Sequence, residues 1–123
     1  MKRIFMLIAC LLVLNSIQAQ QTKASEYSSL YNDGVTEMGN KEYSKALLLF
    51  NQALQLKPDY KEALFARGQC FLMLNEREKA CVDFAISYKA GWEPALEYLE
   101  KYCAKNAPGR TRKPLNVSGG EKK

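Results

Sequence analysis

The 123-residue chain contains no histidine. That absence excludes His-dependent triads, His-ligated metals and imidazole proton shuttles. The chain also lacks a Cys-x-x-Cys pair, a Gly-rich phosphate loop and a nucleophile set beside a general base, so no enzyme chemistry has a local signature. The reading is therefore a non-enzyme, with no catalytic residue, no metal and no cofactor. Long apolar runs are missing as well. The longest, residues 4–14, is about eleven residues, short of the ~30 Å of hydrocarbon that a spanning helix crosses. Charge of one sign is scarce in the body: residues 21–104 hold ten basic and twelve acidic side chains. The formal net charge of +5 instead reflects the two ends, Lys2 and Arg3 at the start and six basic residues against Glu121 after position 104.

What is present begins with an export signal. Lys2 and Arg3 form a positive start, residues 4–14 an apolar stretch, and residues 15–19 a polar exit with Ala19 at the expected cut. Residues 1–19 thus read as a cleaved signal peptide, which places the mature chain in the periplasm or outside the cell. Two alternatives stay open: an uncleaved N-terminal anchor, and a lipoprotein, because Leu7-Ile8-Ala9-Cys10 resembles the bacterial lipidation box. With a bacterial type of leader, Asn116-Val117-Ser118 is not expected to carry a glycan.

The chain repeats itself at a lag of 34. Aligning residues 27–60 with 61–94 gives the identities Leu30/Leu64, Gly34/Gly68, Glu42/Glu76, Lys45/Lys79, Ala46/Ala80 and Phe50/Phe84, where roughly two are expected by chance. These are the positions that a helical hairpin needs. A glycine lets the facing helix come close, a small alanine sits opposite, and a phenylalanine one turn on fills the space. The pattern Leu30, Gly34, Ala46, Phe50, Ala53, Pro58, then Leu64, Gly68, Phe71, Ala80, Phe84, Ser87, resembles the tetratricopeptide repeat family over residues 27–94. It departs at Glu37, where a large apolar residue is usual, and at Trp92, which replaces the closing proline of the second copy.

The resemblance and the local signals imply an all-α solenoid of helical hairpins, two repeats plus a C-terminal capping helix. Helices are expected near 24–39, 42–56, 60–74, 77–89 and 93–104. Asp59 with Glu62, and Asn75 with Glu78, have capping-box spacing for the third and fourth helices. Gly91 ends the fourth helix and Pro94 suits the first turn of the fifth. The fifth helix, through Ala95, Tyr98, Leu99 and Tyr102, would cover the apolar face that the second repeat leaves open. The domain plan is a signal peptide at 1–19, an extension at 20–26, the repeat domain with its cap at 27–104, and a disordered basic tail at 105–123.

Three cysteines lie beyond the leader. Cys81 and Cys103 sit eleven residues either side of a turn near Trp92, at one height in a helical hairpin, so a disulfide stapling the cap helix is expected of them. The alternative is three buried thiols serving as small hydrophobes. Cys70 points back toward the first repeat.

In the tetratricopeptide family the first helix of each repeat lines a concave, peptide-gripping surface. The matched register puts Tyr31, Val35 and Met38 there from the first copy, and Phe65, Gln69 and Leu72 from the second. The Lys, Asn and Arg places of the family's carboxylate-clamping sites hold Tyr31, Val35 and Ala66, which argues against such a clamp here. Function is accordingly expected to be protein–protein interaction, as a scaffold or adaptor of the bacterial cell envelope. The other readings are a self-associating structural subunit and an envelope-surface binder whose Arg110, Arg112 and Lys113 meet anionic lipid or polymer. Nucleic acid is not an expected partner.

Overall fold

Hydrophobic residues spaced three and four apart, interrupted at two short turns per 34 residues, can bury their faces only as stacked helices. The computed structural model describes residues 1–103 and is all-helical over them. The helices are α1 (Lys2–Gly39), α2 (Tyr43–Leu56), α3 (Lys61–Met73), α4 (Arg77–Lys89) and α5 (Ala95–Tyr102), each packed on the next. This is the expected fold class, a run of helical hairpins. The tail after position 103, with Arg110, Arg112 and Lys113, lies outside the described residues.

The first helix is far longer than the sequence suggests. It does not begin near residue 24 but runs without a break from Lys2, through the polar residues 15–18, and into the body. Ile4, Phe5, Met6 and Leu7 are all exposed, and the first buried residue of α1 is Gly34. By length and composition alone, an 18-residue stretch of α1 is apolar enough to cross a membrane. The eleven-residue limit drawn from the strictly apolar run is therefore too short, because helical residues continue beyond it.

The two repeats interlock through one recurring contact. Gly34 faces Phe50, and a Cβ on that glycine would lie 2.6 Å from the ring. Gly68 faces Phe84 in the same way, at 2.7 Å. Both rings are fully buried, as are Ala46 and Ala80. The glycines thus set how closely α1 meets α2 and α3 meets α4.

Helix ends differ from the capping-box expectation. No N-cap side chain makes a capping hydrogen bond, and the residues at the N-cap places of α3 and α4 are Tyr60 and Glu76, not Asp59 and Asn75. Asn75 instead closes α3. It takes a left-handed φ of 63°, its N–H donates to the Leu72 carbonyl, and the Glu76 N–H donates to Phe71 O at 2.8 Å. Lys41 (φ 63°) closes α1 and Gly91 (φ 95°) closes α4 with the same pair of bonds. Each is a Schellman closure, which absorbs the last free carbonyls of a helix. A residue committed to closing one helix is not available to cap the next.

A candidate partner-binding cleft

The helices position the second-repeat surface by means of α5. Tyr98 of α5 lies edge-on to Phe65 (centroids 4.9 Å) and against Phe84 (5.1 Å). Gln69 donates its amide hydrogen to the Tyr98 hydroxyl at 2.9 Å. Ala95 and Leu99 are buried on the same side, with Trp92 against Phe65. A disulfide joins Cys81 of α4 to Cys103, the residue that follows α5. An eight-residue helix is too short to persist alone. Here it is held at one end by the disulfide and along its length by the aromatic stack.

The six residues placed on the concave surface from register separate into two sets. Met38, Gln69 and Leu72 line a cleft of about 440 Å³. Tyr31, Val35 and Phe65 lie outside it. Tyr31 packs into the core, 5.9 Å from the Phe50 ring and 5.2 Å from Tyr60. Val35 is 37% exposed. Phe65 is half-buried beneath Tyr98 and Trp92, so the cap helix takes the place where a bound peptide was expected. The remaining wall of the cleft is Tyr43 from α2, Met73 at the end of α3, Asn75 in the following turn, Arg77 at the start of α4, and Tyr98 and Tyr102 from α5. Register within the repeat could not reveal these, because they come from helix ends and from the cap.

A second polar feature escaped the sequence altogether. Asp83 is almost fully buried and takes two hydrogen bonds from Arg67, Nε at 2.7 Å and a terminal nitrogen at 2.8 Å. The other terminal nitrogen of Arg67 donates to Asn51 Oδ1 at 2.9 Å. This fork ties α2, α3 and α4 together and satisfies both carboxylate oxygens. Ser87, also buried, donates to the Lys61 carbonyl at 2.8 Å. Burial pushes the Cys70 thiol up to about 11, and Cys70 sits with Ala46, Phe50 and Ala66 in the core between the repeats. Tyr31 and Tyr60 are raised by burial and, second, by the nearby Glu62 carboxylate.

The chain is similar to two characterised proteins. It is 42% identical over 68 residues, 55% of its length, to the outer dynein arm-docking complex subunit 4 of Xenopus laevis, of which this covers 13%. It is 38% identical over 76 residues, 58% of its length, to the heat-shock protein cognate co-chaperone sgt12 of Aspergillus fumigatus, of which this covers 22%. The chain therefore matches only a minor part of either relative. No protein-family model matches the chain, and no solved structure matches it.

Proposed function

We propose that this protein is a non-catalytic interaction module of tetratricopeptide type, exported to the bacterial cell envelope, that holds a partner protein in the cleft between α1, α3 and α5. The observation that carries the reading is the cleft itself, an apolar floor of Met38, Leu72 and Met73 ringed by Tyr43, Tyr98 and Tyr102. Tyrosine-rich concave surfaces are effective partner sites because a rigid amphipathic ring offers both apolar area and a hydroxyl. Similarity to a docking-complex subunit and to a co-chaperone supports an adaptor role. Export is supported by the positive start, the exposed apolar half of α1 and the disulfide. The test is crosslinking co-purification from the native envelope with the wild type and with Met73→Lys, which alters an exposed cleft residue. A defined partner lost with the variant, while helicity is unchanged, supports the reading. An identical partner set with both removes it. N-terminal sequencing of the mature chain checks the leader, with Gln20 as the expected first residue.

Self-association is a second reading, favoured by Leu48 and Val82. These equivalent positions of the two repeats are 63% and 58% exposed, with Ile86 one turn beyond Val82. Sedimentation at tens of micromolar decides it, since a strict monomer there excludes a specific interface of ordinary affinity.

A further inference from the structure

We propose that the cleft recognises an acidic peptide segment of another protein, a stretch that seats one apolar side chain with an Asp or Glu beside it. The proposal rests on the cleft being the partner site and adds the chemistry of the partner. Its first support is the sign of the lining. The described lining residues include no carboxylate, and their one charged side chain is Arg77. Arg77 is exposed and makes no ion pair or ring contact among the described residues. Three nearby cations are already paired with carboxylates: Arg67 with Asp83, Lys45 with Glu42 and Lys79 with Glu76. The last two pairs also engage Glu42, next to Tyr43, and Glu76, on one side of Arg77; Glu78 stands on its other side in the chain but is not part of the cleft lining. An unmatched guanidinium above an apolar floor favours a carboxylate attached to an apolar residue.

The second support is where the chain goes next. Tyr102 lines the cleft and Cys103, held by its disulfide, is the last described residue, so the sequence that follows is tethered beside the cleft rim. It has six basic residues and one acidic one. Rim and tethered segment carry the same sign, which disfavours the chain's own tail as occupant and favours an acidic partner. Steering by such a field raises the rate of encounter and is weakened by salt. The polar groups around the floor fit this occupant too. The hydroxyls of Tyr43 and Tyr102 and the Asn75 amide are donors that can meet peptide carbonyls or a second carboxylate oxygen.

The experiment is selection of random twelve-residue peptides, displayed on phage, against the purified full chain in its oxidised form. Binding of the selected peptides is then measured by fluorescence polarisation to the wild type, Arg77→Glu, Met73→Lys and the remote control Lys89→Glu. All four proteins are first compared by circular dichroism. The expected result is enrichment of Asp or Glu next to Leu, Phe or Met. Affinity should fall about tenfold or more with Arg77→Glu, stay unchanged with Lys89→Glu, and weaken from 50 to 500 mM salt. Neutral or basic selected peptides that are lost with Met73→Lys but indifferent to Arg77→Glu would overturn the acidic preference and leave the cleft as the site. Peptides that bind all variants equally would remove the cleft reading itself. Phosphatidylglycerol vesicles that displace the selected peptides, and whose binding depends on Arg77, would assign the site to a membrane surface and overturn the proposal.

Discussion

Gly68→Ala should destabilise the protein although it replaces a helix-disfavouring residue with the best helix former. In an open helical position the change gains about 1 kcal/mol. At position 68 the new methyl would meet Phe84 Cε1 at 2.7 Å, Cδ1 at 2.9 Å and Cζ at 3.2 Å. The ring cannot swing away, because it is fully buried with Phe65 and Tyr98 at centroid distances of 5.6 and 5.1 Å. Relief must come from parting α3 and α4, an overpacking cost of about 3 kcal/mol. The net loss is then about 2 kcal/mol, a fall of about 1–2 M in the urea midpoint followed by circular dichroism. Gly39→Ala is the internal control, since nothing lies within 4 Å of its added Cβ, and it should be neutral or stabilising by up to about 1 kcal/mol. Combining Gly68→Ala with Phe84→Leu should recover at least about 1 kcal/mol relative to the sum of the single changes. A midpoint for Gly68→Ala at or above the wild type, or strict additivity in the double variant, would refute the close-approach argument.

Asp83→Ala should cost about 3 kcal/mol, because it leaves the Arg67 guanidinium without its carboxylate, and a urea melt with intact helicity at low denaturant is the readout. Replacing Cys81 and Cys103 together by serine should cost about 3 kcal/mol for a sequence separation of 22. The single tryptophan, Trp92, lies at the foot of α5, and its emission should shift to the red at lower denaturant in that variant; coincident transitions would mean the aromatic stack alone holds the cap. Burial raises the Cys70 thiol from 9.0 to about 11, so the folded state favours the protonated form. Stability from this site is full below pH 9 and falls as pH rises toward 11, by at most about 3 kcal/mol, whereas Cys70→Ala should flatten the profile between pH 9 and 10. At pH 8 the same thiol should react with iodoacetamide only as fast as the protein opens.

The order and bounds of α2 to α5 were legible in the 34-residue self-comparison to within two residues, because the features that build a hairpin recur in both copies. Gly34 with Phe50 and Gly68 with Phe84 are the clearest instance: the same steric requirement was written twice. What does not recur was hidden by the same method. Arg67 matches Asp33 in the first copy and Asp83 matches Leu49, so the fork that links three helices looks like two mismatches. The concave surface was read as if it ended with the second repeat. Tyr98 extends it across Phe65 and Gln69, moving the open space toward Tyr43, Arg77 and Tyr102. The capping box at Asn75 failed because Asn75 takes the left-handed conformation that closes α3, and that at Asp59 because α3 starts one residue later, with Tyr60 at its N-cap.

The long first helix has a consequence for the proposed export. Every residue of α1 before Tyr27 is exposed, so a cut after Ala19 would remove no buried side chain. Under the proposed export, processing would be structurally silent: the repeats could assemble before or after a peptidase acts, and the enzyme would need no change in their fold to reach its bond. Were the segment kept, the unbroken helix would act as a stiff mast, rising 1.5 Å per residue. The body would then stand at a set height above the bilayer, and the cleft would meet its partners at that height alone.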